Sequence, residues 1–310
     1  DINNNLTKII THFPINKMKI IMYHYIRKKS ESYPNLKFLD FQKFKKQISK
    51  FENESLITTD FDNNLRNKTV LTFDDGLKDH LNVAEYLSKK NLKGIFFIST
   101  LPLLSKKILP VHQLHLLLSK RNVKSVTRKF FEHCSKFKND NFTKFLKTKK
   151  YKLVDGLDDE IKVKDVKKTF NYFLNPMQKS NILQDMNKYF DINIKSNQFY
   201  LTVKELRYMV DLGMVIGSHG CNHEPLNTLS NNQKKFEIIG SKKYLEKTLN
   251  KSIDYFCYPY GWKYSYDKES IKIIKSSGYK LAFNVEKRIV KNSDLKMKYE
   301  IPRFDTIDFL

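Results

Sequence analysis

Six apolar runs, at 18–23, 69–74, 94–98, 213–218, 254–258 and 279–284, recur along the chain and read as strands. Between them the period changes: FQKFKKQISKFE at 41–52 and HLNVAEYLSKKN at 80–91 carry apolar residues at helical spacing. Strands alternating with helices predict parallel strands joined by crossovers, an α/β barrel with one interruption. The interruption runs from Thr100 to Tyr200, Lys-rich and mostly helical in period, with VHQLHLLL at 111–118 and KKTFNYFL at 167–174. Residues 101–200 therefore read as a helical insertion after a barrel strand. Loops at that end of a barrel carry specificity, so the insertion is expected to wall a substrate site. No repeat or flexible linker is evident, and 310 residues at 40% hydrophobic suit one large domain, 1–310.

Chemistry enters where three of the strands end. TVLTFDDG at 69–76 closes on Asp74, Asp75 and Gly76. Inside a strand one of two adjacent carboxylates would face apolar surroundings; at the carboxyl end both can face one pocket, and Gly76 permits the turn. Alone, Asp-Asp-Gly is an ordinary turn signal. GMVIGSHGCNH at 213–223 breaks at Gly217 and delivers His219 and His223 four positions apart, a spacing that suits one ion or an incidental surface pair. Two histidines and one carboxylate make a three-ligand site with a position left for water, and the second carboxylate is then free to accept that water's proton. DYFCYPYG at 254–261 ends in Tyr258, Pro259, Tyr260 and Gly261, a turn able to fix the direction of a backbone amide.

Taken together, the three segments resemble the polysaccharide deacetylase family, also called the NodB-homology or carbohydrate esterase family 4 domain. The resemblance implies an incomplete, distorted (β/α) barrel of about seven units with its site at the strand ends. It implies Asp74 as catalytic base, Asp75, His219 and His223 as metal ligands, and the Tyr260 backbone amide as oxyanion donor. Many family members add an acid histidine near the carboxyl end, but no histidine follows His223. KIIMYHYI at 19–26 offers His24 at a strand end instead, which resembles the circularly permuted branch of poly-N-acetylglucosamine deacetylases, where the acid histidine precedes the DDG motif. The family's third-motif arginine is also missing. Arg303, in IPRFD at 301–305, is its nearest replacement, suited to a bidentate hold on Asp74.

Composition limits the remaining possibilities. No stretch is apolar for long enough to span a bilayer, and DINNNLTKIITHF lacks the apolar core of a signal peptide. The chain opens on Asp1 without Met, which leaves a removed upstream segment open; a cytoplasmic protein is expected. Cys134, Cys221 and Cys257 form no disulfide or zinc spacing, although Cys221 and Cys257 fall beside the proposed pocket. The formal charge of +24 is spread from end to end and carried mostly by Lys, which argues against a nucleic-acid partner and suits anionic lipid headgroups at the inner membrane surface or a diphosphate-linked glycan. His112 and His115 share one helix face, but no neighbouring carboxylate or cysteine in the sequence completes a second metal set.

The expected activity is metal-dependent removal of an N-acetyl group from an amino sugar of a surface polysaccharide or its lipid- or nucleotide-linked precursor. Zn²⁺ is the favoured ion, with Co²⁺, Ni²⁺ and Fe²⁺ as alternatives for such ligands. Deformylation and O-deacetylation of a related glycan are the nearest rivals. A non-catalytic glycan-binding protein of the same fold is the rival from another class.

Overall fold

A computed structural model of the chain describes residues 17–28, 35–62, 65, 67–137, 140–148, 161–193 and 195–310. The stretch 1–16, read above for a signal segment, lies outside them. No described helix is long and apolar enough to cross a membrane.

The apolar runs form one curled parallel sheet. Across it lie Phe304–Asp305, Met18–Tyr23, Lys68–Phe73, Ile95–Ile98, Val215–Ser218, Tyr255–Cys257 and Leu281–Phe283, with Leu56–Ile57 paired beside Lys68 and Thr69. Every pair in this sheet is parallel, and the Lys68–Phe73 and Ile95–Ile98 strands are buried at every position, as expected for strands covered on both faces. Met18–Tyr23 matches its apolar run and Lys68–Phe73 is shifted by one residue, whereas the other four strands are shorter than their runs by one to three residues.

Register sets the position of the site. Tyr23 pairs with Phe73, Ile98 with Ser218 and Cys257 with Phe283, so the strands finish along one rim and the residues following them share it. The segment after the last long strand closes the seam: Ile301 bridges Phe283, and Phe304 and Asp305 then pair with Ile21 and Met22. Strand alternation divides the apolar residues. Met18, Ile20, Val70, Ile95, Phe97, Phe283 and Ile301 make one cluster, while Ile21, Tyr23, Leu71, Phe73, Phe96 and Ile98 join the larger cluster packed on the helices. Continuing two residues at a time, Asp74 follows Val70 and Thr72, and Arg303 follows Ile301, on the same face.

Helices Phe41–Glu54 and His80–Lys89 occupy the expected crossovers, the first capped by the Asp40 carboxylate on the Gln42 and Lys43 amides. Between Ile98 and Val215 the described elements are all helices, among them Pro110–Lys120, Val123–Cys134, Ile161–Tyr172 and Pro176–Tyr189. They bury a core of their own around Leu117, Phe130, Phe170 and Met186. The KKTFNYFL pattern overruns its helix, which stops at Tyr172 because Asn175 and Pro176 start the next one with a capping box.

Candidate active site and metal centre

Asp74 and Asp75 are both buried at the rim, and a change in backbone conformation sends them to different neighbours. Asp74 keeps the strand direction. Asp75 has φ 79° and Gly76 φ 69°, so the chain turns left-handed at once. A left-handed aspartate is uncommon and held only by its surroundings. His223 (φ 59°) and Tyr260 (φ 63°) share the same conformation, so three of the candidate site residues carry it.

Arg303 clamps Asp74 from inside the barrel. Its Nη1 donates to Oδ1 and its Nη2 to Oδ2, each at 2.8 Å, while Nε donates to the Asn284 carbonyl at 3.1 Å and Nη1 also to Thr72 Oγ1 at 3.0 Å. Burial by itself would raise the Asp74 pKa, but the guanidinium's charge and hydrogen bonds prevail and hold it down to about 2. Cys257 Sγ lies 3.0 Å from Nη2, and burial pushes its thiol well up, so it sits as a neutral group. Cys221 is buried against the Phe236 carbonyl instead, its thiol raised to about 12 by burial and by Glu237.

Asp75 faces His219 and His223. Its Oδ1 lies 3.4 Å from His219 Nε2 and 3.3 Å from His223 Nε2, and this buried oxygen has no hydrogen-bond partner among the described residues. Ligand atoms ~2.0–2.1 Å from a tetrahedral ion stand ~3.3 Å apart, so this spacing fits one divalent cation. His219 donates Nδ1–H to the Cys257 carbonyl at 2.8 Å, which turns the Nε2 lone pair towards Asp75. Burial lowers the His219 pKa to about 4, keeping the ring neutral as a ligand requires. The chemistry of the donor set, two imidazoles and a carboxylate, is that of zinc or a similar ion.

The loop carrying the histidines is held from below by Glu237, a residue that no local pattern singles out. Its carboxylate accepts the Cys221 amide at 2.7 Å, the Asn222 amide at 2.9 Å and Asn222 Nδ2 at 2.7 Å. It projects from a single π-helical turn, Phe236–Gly240, an irregularity common at functional sites. Burial raises its pKa to about 7. Lys179, from the helical stretch, pairs with Glu224 at 2.5 Å, both buried, and fixes the residue after His223.

His24 stands across from Asp74, its Nε2 4.0 Å from Oδ2 and its side chain 36% exposed at the floor of a cavity. Burial lowers its pKa, but Asp75, Asp74 and Asp305 outweigh this and leave it raised above 6.5. A second residue missed on sequence, His80, fixes its backbone: His80 Nε2 donates to the His24 carbonyl at 2.9 Å. The cavity measures about 890 Å³ and is lined by His24, Asp74, Asp75, His219, His223 and Tyr260 among others. That is room for a sugar residue or more. Tyr260 packs against His223 with ring centroids 4.8 Å apart, and its hydroxyl donates to Asn171 of the helical stretch at 3.2 Å. Tyr172, Trp262 and Asn171 complete an aromatic and polar wall.

His112 and His115 form part of no metal cluster among the described residues, but His112 does meet a carboxylate. The fold carries Asp75 to within 3.1 Å of His112 Nε2, a carboxylate 37 positions away in the chain. Proximity along the sequence could not reveal it.

A match to known proteins covers part of this machinery. Residues 159–282 match the polysaccharide deacetylase family. The matched segment contains SHGCNH and YPYG, whereas TFDDG, His24 and Arg303 lie outside it. The curated Bacillus subtilis (strain 168) protein "Putative polysaccharide deacetylase YxkH" is 28% identical over 90 residues, 29% of this chain and 31% of that protein. The match thus spans about a third of the relative's length. Among solved structures, the Streptococcus pyogenes deacetylase PplD, in complex with acetate, superposes with a TM-score of 0.56 at 18% identity over 93% of this chain and 92% of its own. A de-N-acetylase from Aggregatibacter actinomycetemcomitans gives 0.52 at 15% over 93% and 94%. IcaB from Ammonifex degensii gives 0.52 at 12% over 94% and 93%. At these identities the likeness is one of fold, the half-barrel with flanking helices.

Proposed function

We propose that the chain is a metal-dependent deacetylase that hydrolyses the N-acetyl amide of an amino sugar in a surface polysaccharide or its lipid- or nucleotide-linked precursor. The observation that carries this is the division of labour between adjacent carboxylates: Asp75 offers two imidazoles an oxygen with no hydrogen-bond partner among the described residues, while Asp74 is clamped and ionised opposite a histidine. The deacetylase match over 159–282 supports the same chemistry.

Asp75, His219 and His223 would hold the ion. A divalent cation there supplies a Lewis acid for the amide carbonyl and lowers the pKa of water. Asp74, kept ionised by Arg303, accepts the proton of the attacking water as the new C–O bond forms. The Tyr260 backbone amide donates to the oxyanion. His24, protonated through its carboxylate neighbours, gives its proton to the nitrogen as the C–N bond breaks. The products are acetate and the free amine, and the proton taken by Asp74 balances the one His24 gave. An acid just after the strand that precedes the DDG strand is what resemblance to the permuted branch of the family implies. Residues 101–200 form one wall of the glycan site within a single domain, supported by Asn171 and Tyr172 at the cavity. The basic surface suits anionic headgroups or a diphosphate carrier from the cytoplasmic side.

Acetate release from N-acetylglucosamine oligomers tests this. Turnover should vanish with a chelator and return with Zn²⁺ or Co²⁺, and Asp74→Asn should lower kcat at least ~100-fold while metal binding persists. Formate or ester-derived acetate released in preference would favour the rival hydrolases. A protein with no affinity for any divalent ion would leave only the glycan-binding alternative.

A further inference from the structure

The helical stretch reaches into the metal centre through one side chain. His112, on helix Pro110–Lys120, is 2% exposed and places Nε2 3.1 Å from Asp75 Oδ2, the carboxylate oxygen that faces away from His219 and His223. Its other nitrogen, Nδ1, is hydrogen-bonded to the Tyr200 hydroxyl, and that hydroxyl accepts the Leu109 amide at 3.1 Å. These partners fix the direction of every proton. Asp75 Oδ2 can only accept, so Nε2 carries the ring's hydrogen and Nδ1 accepts the Tyr200 hydroxyl proton. The opposite tautomer would set the Nε2 lone pair against a carboxylate lone pair. Asp75 thus has one oxygen bound by an N–H donor and one without a hydrogen-bond partner among the described residues.

We propose that His112 is a positioning residue for the metal ligand Asp75, held in its working tautomer by Tyr200. The proposal rests on the reading of Asp75 as a ligand. By occupying Oδ2, His112 restricts Asp75 to a single-oxygen contact through Oδ1 and fixes the carboxylate's rotation, which its left-handed backbone alone does not do. The chain between the third and fourth long strands then completes the metal site as well as walling the cavity. Tyr200 belongs to the same anchor: Leu77, two residues after Asp75, bridges Tyr200, and the Leu201 amide donates to the Gly76 carbonyl at 3.0 Å. The helical stretch is therefore tied to the DDG turn by backbone as well as by side chain.

Zinc affinity, measured by competition with a chromophoric chelator, tests this apart from turnover. Relative to the wild type, His112→Ala should weaken zinc ~10–100-fold, the range expected when a ligand's orienting partner is removed. His112→Gln, whose amide nitrogen can take the place of Nε2, should recover most of the loss. Tyr200→Phe, which removes the tautomer's anchor with little change in shape, should weaken zinc ~3–10-fold, a fraction of the same range. In the Co²⁺ form, His112→Ala should lose visible d–d intensity as the freed carboxylate binds through both oxygens and the coordination number rises. His112→Ala binding zinc within twofold of the wild type would overturn the proposal. If that variant does not fold, Tyr200→Phe and His112→Gln decide: zinc affinity unchanged in the first and fully lost in the second also overturns it. A wild type that binds no metal brings down the functional reading itself, whereas equal binding by wild type and variants removes only the role of His112.

Discussion

Replacing Arg303 by Met isolates the interaction on which the proposed base depends. Asp74 and Arg303 are both almost fully buried, and the pair is bidentate at 2.8 Å. A carboxyl held at about 2 in the folded state against an ordinary 3.8 contributes about 2 kcal/mol of stability at neutral pH. That contribution is fully present above the ordinary value and is lost as pH falls through about 2. Removing the arginine does more than cancel it. The uncompensated carboxylate stays buried, a loss of ~3–5 kcal/mol for one partner of a buried pair. Burial, the largest influence on Asp74 and one that raises its pKa, is then no longer opposed by the guanidinium. In Arg303→Met the deficit should be largest at neutral pH and shrink as pH falls through the raised value, the reverse of the wild-type trend. Arg303 also serves Asn284 and Thr72, so a double-mutant cycle with Asp74→Asn is needed to separate the pair. Urea denaturation of chelator-treated protein at pH 7.5 and lower should give a coupling of ~2 kcal/mol or more. A coupling under ~0.5 kcal/mol, within the usual error of additivity, or a deficit independent of pH would refute the assignment of Arg303 as the group that keeps Asp74 ionised.

Other expectations concern the acid and the scaffold. Because Asp75, Asp74 and Asp305 raise the His24 pKa, its protonated form persists above 6.5 and is lost as pH rises, so kcat should fall on the alkaline side. His24→Gln should lower kcat ~10²–10⁴-fold and flatten that limb; an unaltered alkaline limb would assign it to another group. Lys179→Met should cost ~3–5 kcal/mol by stranding Glu224, and adding Glu224→Gln should restore much of the loss; thermal or urea unfolding that finds the double variant no better than the single contradicts the buried pair.

Much of the fold was visible as period. Six apolar runs became strands, and the two crossover helices occupy the expected stretches, because a strand covered on both faces needs a continuous apolar sequence and a helix covered on one needs a 3.6-residue stripe. The two-residue strands at Ile26, Leu39, Leu56 and Phe304 were not visible. Ile26–Arg27 and Leu39–Asp40 pair with each other, while Leu56–Ile57 and Phe304–Asp305 add to the ladders of Lys68–Phe73 and Met18–Tyr23, partners that no local pattern records.

The same distinction holds at the site. Asp74, Asp75, His219, His223 and Tyr260 stood out because each closes an apolar run at a turn, and their side-chain chemistry is local information. His24 and Arg303 needed a family resemblance to be noticed at all; the fold then put Arg303 against Asp74 across 229 positions of sequence. Glu237, His80 and the contact of His112 with Asp75 had no local signal, because each acts through a partner brought from a distant part of the chain. Sequence alone determined which side chains the rim would carry, since composition and period act over a few residues. Only the tertiary structure decided which of them meet, since hydrogen bonds and charges act over a few ångströms between segments that the chain keeps far apart.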